Sequence, residues 1–338
     1  MAKGTQGARE NQAANRQPQK KRKPKYFYDY SLLFSIIFLT VFGLIMIYSA
    51  SSYTAQLNPI YKGNSAYFMQ RQAAIAAAGF VLMLWVSKMD YHRFARFSVP
   101  AYILSYVLMI AVNLFGRAVN GKKRWLEIGP VSFQPAEFVK IALIVLLAAV
   151  ITTMGRRINE WRNMGIICLL TLPIAILVWT TSLSAFIIVC GIAAVMLFVA
   201  CKVKWPFFLG GALAVGGLAF AEPLGRLALN LHLLKPYQFR RIEAWLHPEL
   251  DPTDNGYQVL QGLYAIGSGG LVGQGLGESI QKLGFLPESQ NDMIFAIICE
   301  ELGLFGAVSI ILIFLFMIYR FMVIANNAPD LFGALLVV

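Results

Sequence analysis

Long apolar runs separated by short polar connections recur from about residue 31 to the end of this 338-residue chain. A helix that crosses a bilayer needs about 20 mostly apolar residues. By that criterion the candidate spans are about 31–50, 72–87, 100–115, 137–154, 164–179, 183–200, 206–222 and 293–319. A further apolar segment begins near Leu331. The pattern predicts an all-α, polytopic transmembrane helix bundle over residues 29–338, with a long loop at about 223–292 between spans seven and eight. The first run follows a basic flank as a signal peptide would. It is too long for a usual signal core and many spans follow, so it reads as a retained helix.

Composition agrees with that picture. The chain is 58% hydrophobic and 14% charged, against about 25% charged in soluble domains. Its net charge of +12 is unevenly placed. Residues 1–28 hold eight Lys/Arg, including the run Lys20–Lys25, against the single acid Glu10. With no apolar periodicity, this segment reads as a disordered cytoplasmic tail. Its place before the first span favours anionic lipid and topology control over nucleic acid. With that tail inside, each predicted inner loop carries Lys or Arg: Lys88, Arg93 and Arg96, then Arg156, Arg157 and Arg162, then Lys202 and Lys204, then Arg320. The positive-inside rule then makes this a multi-pass protein of the cell membrane with a cytoplasmic N-terminus.

Two outer loops break the rule. Residues 116–136 hold Arg117, Lys122, Lys123 and Arg124. The long loop holds Arg226, Lys235, Arg240, Arg241 and Lys282. An anionic ligand on that face explains basic residues that topology does not require. Ion pairs with loop acids such as Glu127, Glu243 and Asp251 are the alternative. Within the long loop, residues 236–246 place Phe239, Ile242 and Leu246 on one helical face, as in an interfacial amphipathic helix.

The chemistry-bearing positions cluster around these loops. Asp292 stands at the mouth of the eighth span, where an ionisable group marks a functional site. The stretch Gly267–Gly277 has six glycines in eleven residues. It lacks P-loop order, leaving a re-entrant turn packed on helices or a substrate-shaping loop. Glu137 and Lys140 share a helix face at i, i+3 and neutralise each other beside the basic loop. One of Glu300 and Glu301 is expected to face a polar cavity or Lys140, since intramembrane charges pair. Cys168, Cys190, Cys201 and Cys299 read as small apolar residues without zinc spacing. His92, His232 and His247 suggest no hydrolase triad.

Five motifs then occur in one order: Asn120-Gly121-x-x-Arg124-Trp125; Gln134-Pro135-Ala136-Glu137-x-x-Lys140; Gly256-Tyr257-Gln258; Ala265–Gly277 with its glycines; and Leu286-Pro287-Glu288-x-x-x-Asp292-x-Ile294-Phe295. In this the chain resembles the SEDS family (shape, elongation, division and sporulation proteins), and Gln281–Glu288 is more similar to its division branch. The resemblance implies a peptidoglycan glycosyltransferase that polymerises lipid II at the outer membrane face. It implies a class B penicillin-binding protein and other divisome membrane proteins as partners, and no nucleic acid. Asp292 matches the family's base for the acceptor 4-hydroxyl. Lys123, Arg124, Arg240, Arg241, Glu137, Lys140, Gln258 and Glu288 are the expected substrate-binding residues. The resemblance also suggests a divalent cation, Mg2+ or Mn2+, although no dedicated metal cage is legible.

Two departures accompany the resemblance. The family motif before the sixth span is here Thr180–Ser184, with neither proline nor acid. The family has ten spans, and this chain reaches Val338 early in a ninth, so the expectation is a C-terminally truncated bundle. Rival readings are a lipid II flippase, with Glu137, Lys140, Glu300 and Glu301 as a path, and a non-catalytic scaffold for the partner synthase.

Overall fold

The computed structural model describes residues 28–119, 122–129, 131–231, 236–253 and 256–338. Nearly all of the predicted tail therefore lies outside the described residues, as do Asn120, His232 and Lys235.

Three spans open the chain: α1 (Tyr30–Leu57), α2 (Tyr67–Val86) and α3 (His92–Phe115). A small antiparallel sheet follows, β1 (Arg117–Val119), β2 (Lys122–Ile128) and β3 (Val131–Phe133), in the order β1-β2-β3. Then come α4 (Pro135–Met154), α5 (Trp161–Thr181), α6 (Leu183–Ala200), α7 (Trp205–Ala219) and α8 (Ala221–Asn230). The chain continues through α9 (Pro236–Leu246), α10 (Tyr257–Ser268), α11 (Ile294–Asn326) and α12 (Leu331–Val337). Among the described residues seven helices are long and apolar enough to cross a membrane, and α7 with α8 makes an eighth only as a pair bent by 83°. The predicted single span 206–222 is thus corrected to a helix broken near Phe220.

Local chemistry sets the ends. Asp29 caps α1, its Oδ1 accepting from Leu32 N at 3.0 Å. Pro135 opens α4 at a position where a missing N–H costs nothing. Asp330 caps α12 through Gly333 N at 2.6 Å. The same carboxylate accepts from the Tyr91 hydroxyl at 2.7 Å and contacts His92 Nε2 at 2.8 Å, tying α12 to the start of α3. The backbone amide of Gly333 and the Tyr91 hydroxyl hold the Asp330 carboxyl below the usual carboxylate range.

Two cores result. The larger joins α3 to α6 with α12, through Met109, Leu143, Leu147, Ile174, Val189 and Leu335. The smaller joins α1, α10, the loop after it and α11, through Met46, Ala50, Ala265, Leu286 and Ile297. This second core positions the candidate site. By contrast α2 and α7 bury no residue, as expected of helices whose surroundings are lipid.

Candidate functional site

The site is built around a break in α11. At Gly303 the backbone turns to φ 65°, ψ −166°, which an L side chain rarely adopts. The carbonyls of Glu300 and Glu301 accept instead from Gln274 N (2.9 Å) and Gly275 N (3.0 Å) of the glycine-rich loop. In return Leu304 N and Phe305 N donate to Gly270 O (2.9 Å) and Leu271 O (3.2 Å). Four crossed hydrogen bonds thus replace those the broken helix gives up, which satisfies backbone in apolar surroundings. The approach is possible only without side chains: a Cβ on Gly269 would lie 1.9 Å from Cys299 O, and one on Gly273 would lie 2.2 Å from Glu301 O. Of the two sequence readings of this loop, the packed re-entrant turn is the one these contacts support.

The break carries two buried acids. Glu300 holds the next loop, accepting from Ser279 Oγ (2.5 Å), Ile280 N (3.0 Å) and Gln281 N (3.4 Å). Glu301 Oε1 accepts from Lys282 Nζ at 2.8 Å and from Ser49 Oγ of α1 at 2.6 Å. Glu301 Oε2 is buried and has no hydrogen-bond partner among the described residues. Neither acid pairs with Lys140, which bridges Glu137 at 2.7 Å on α4. Lys282 is also corrected: it is a buried partner of Glu301, only 5% exposed, and not an outer-loop cation for an anionic ligand. Beside it a cavity of about 380 Å³ opens between α1 and the loop, lined by Ser49, Ser52, Tyr53, Gln56 and Lys282 among others.

From this anchor the loop runs to Asp292. Leu286 sits in the small core and Ser289 Oγ donates to Ala50 O of α1 at 3.2 Å. Glu288 takes a positive φ of 54°, and its carboxylate accepts from Asn291 Nδ2 at 2.6 Å. Met293 N donates to Glu288 O at 3.3 Å, just before α11 starts. Asp292 is exposed within this turn, and its carboxylate has no hydrogen-bond or ion-pair partner among the described residues. Gln258 is half-buried near the start of α10, and one turn on a Cβ at Gly262 would meet the Met293 methyl at 2.3 Å.

The basic candidates lie on other elements. Lys123 Nζ donates to Asn113 O (3.2 Å) and Leu114 O (2.9 Å), capping the C-terminal end of α3. Arg124 Nε donates to Thr181 O at 3.1 Å at the end of α5. Cations are favoured at helix C-termini, so the β-hairpin gives both residues a structural task. Arg117 pairs with Glu127 at 2.8 Å and Arg226 with Glu222 at 2.7 Å, so ion pairing does account for those two. Arg240 is exposed on α9, while the Arg241 side chain lies outside what is described. The apolar face of α9 is covered: a Cβ on Gly225 of α8 would lie 3.0 Å from the Phe239 ring and 3.5 Å from Ile242. No hydrogen bond or ion pair joins the hairpin, α9 and the Asp292 loop among the described residues.

A resident divalent cation needs several hard oxygen ligands. No group of three or more His, Cys, Asp or Glu suited to a metal occurs among the described residues. Glu288 is turned to Asn291, and Glu300 and Glu301 are occupied in the buried anchor. The donor set around Asp292 does not fit a protein-held metal.

Residues 30–338 match the family model of FtsW, RodA and SpoVE, described as cell cycle proteins. A probable peptidoglycan glycosyltransferase FtsW of Trichlorobacter lovleyi is 37% identical over 313 residues, covering 91% of this chain and 79% of that protein. Stage V sporulation protein E of Bacillus subtilis is 35% identical, covering 92% and 82%. A solved peptidoglycan synthase complex, described as coordinating polymerization and crosslinking, contains a similar chain at TM-score 0.71 and 26% identity, covering 92% and 82%. Thermus thermophilus RodA shares the fold at TM-score 0.62 and 23% identity, covering 92% and 79%.

Proposed function

Because the chain belongs to the FtsW/RodA/SpoVE family, we propose that it is a peptidoglycan glycosyltransferase. Its substrate is lipid II, a disaccharide-pentapeptide on undecaprenyl pyrophosphate, and its site faces outward from the cell membrane. The distribution of Lys and Arg supports that orientation. FtsW relatives favour the division branch, although the sporulation protein is nearly as similar. The synthase complex supports a class B penicillin-binding protein as partner.

In this reading Asp292 accepts the proton of the acceptor 4-hydroxyl as its oxygen attacks the donor anomeric carbon. The C–O bond to pyrophosphate breaks, and the electron pair leaves with the phosphate. A base within hydrogen-bond reach contributes about 10²–10⁴-fold to such a step. Cations stabilise the leaving charge, a role for Arg240 and Arg241 and for the remaining N–H groups of Arg124. Lys123, Glu137, Lys140, Gln258 and Glu288 stay substrate-binding candidates. The observation that carries the reading is an exposed carboxylate, without a hydrogen-bond or ion-pair partner among the described residues, on a loop fastened to two helices. A base must be free to meet its substrate and fixed enough to meet it in register.

The flippase reading gains nothing from the broken α11. Transporters use unwound carbonyls to coordinate ions, and here Gln274 and Gly275 occupy those of Glu300 and Glu301. The direct test is incubation of the purified protein and its partner with labelled lipid II. Glycan strands are expected; translocation without polymer in a two-leaflet assay supports the flippase instead, and neither activity leaves the scaffold.

A further inference from the structure

We propose that Lys282, Glu301 and Ser49 are positioning residues for the carboxylate of Asp292, a proposal that rests on the reading of Asp292 as base. The Lys282–Glu301 bridge closes residues 282–301 into a ring, and Asp292 lies midway round it. From Asp292 the chain runs one way down α11 to Glu301 and the other way along the loop to Lys282. Both paths end on one ion pair.

That pair is fastened through Lys282 Nζ and Glu301 Oε1. An ammonium has three donors, and those of Lys282 meet Glu301 Oε1 (2.8 Å), Ser49 Oγ (3.0 Å) and Gly277 O (2.5 Å). The Ser49 hydroxyl in turn donates a hydrogen bond to the same Glu301 oxygen at 2.6 Å. With its donors used, Lys282 acts as a clamp and not as a ligand for a passing anion. Glu301 cannot slide, because its carbonyl holds Gly275 of the crossed loop. Residue 50, next to Ser49, takes the Ser289 hydroxyl at 3.2 Å, so α1 grips the ring at two points.

The cluster is not tuned for stability alone. A buried ion pair is often no better than well-packed apolar residues, and here Glu301 Oε2 remains buried without a partner among the described residues. Among the described residues the Asp292 carboxylate has no hydrogen bond or ion pair to hold it, so its position depends on the ring.

The test uses purified protein and its partner, with kcat and KM for lipid II measured alongside thermal melting in detergent. Ser49→Ala and the paired Lys282→Gln/Glu301→Gln variant are compared with Asp292→Asn. Removing both charges together avoids a lone buried ion. A small displacement of a reacting group costs up to about a hundredfold in rate. The expected result is a kcat lower by about tenfold to a hundredfold for the pair, with a smaller fall for Ser49→Ala. KM should be unchanged and rates are taken per folded protein. Unchanged kcat per folded protein overturns the proposal, and Ser49→Ala decides it if the paired variant does not fold. Wild-type turnover by Asp292→Asn overturns the base reading instead, so the two failures are separable.

Discussion

Gly303 and Gly273 meet backbone to backbone: a Cβ on Gly303 would lie 2.3 Å from the Gly273 nitrogen. The contact lets a glycine-rich loop complete the hydrogen bonds of a broken helix, and it fixes the register of everything from there to Asp292. Gly303→Ala meets both this clash and a positive φ, each disfavoured by about 1–3 kcal/mol. Its melting temperature in detergent is expected to fall steeply, with polymerase activity falling alongside. Gly79→Ala, in open space on α2, is the control and should melt as the parent does. Equal melting of the two variants would contradict the crossed arrangement.

At the opposite end of α1, two N–H groups of Arg320 on α11 donate to Asp29 Oδ2, from Nε at 3.1 Å and Nη2 at 2.5 Å. These bonds and the Leu32 amide hold the Asp29 carboxyl below its ordinary value. A carboxyl lowered by folding stabilises above its unfolded pKa and loses that contribution as pH falls through its folded one. Thermal melting should therefore decline below about pH 4, and less so in Asp29→Asn, which keeps a capping side chain without the charge. At neutral pH Arg320→Gln should cost about 1–2 kcal/mol, since the pair is partly exposed. An Arg320→Gln protein with the parent's melting curve at all pH values would show that the clasp contributes nothing.

Arg240 and Lys123 should respond differently to neutralisation. Lys123 is engaged with carbonyls at the end of α3 and Arg240 is exposed. Lys123→Gln is expected to lose about 0.5–1 kcal/mol of stability, the scale of a charge at a helix terminus. Arg240→Gln should melt normally and raise KM for lipid II several-fold, more at low ionic strength than at high. The reverse pattern in melting and kinetics would exchange their roles.

What the sequence reveals here follows the range of the forces involved. Span positions depend on apolar length, a local property, and α1, α4 and α6 fall where that length puts them. The three strands are short, and the pairing of β1 with β2 shifts register between Arg117 and Ala118, so no clean alternation marks them in sequence. The 83° bend after Ala219 interrupts the apolar run where Glu222 and Pro223 follow, and Pro223 has no N–H to continue the helix. Lys282 was legible as a cation but not as a buried one. Its burial depends on Ser49, more than two hundred residues away, and on a helix break at Gly303 that looks like ordinary small-residue packing in sequence. Asp292 was legible because a carboxylate beside a long apolar run has few reasons to be there.

The central claim is that this carboxylate takes the proton of the attacking hydroxyl. Asp292→Asn changes the charge and almost nothing of the shape, on an exposed side chain with no hydrogen-bond or ion-pair partner among the described residues to disturb. The measurement is the initial rate of glycan formation from labelled lipid II by purified Asp292→Asn protein with its partner, against the parent protein at equal folded concentration. The account predicts a loss of about a hundredfold or more, with unaltered melting and partner binding. Glycan formed at the parent rate would contradict it.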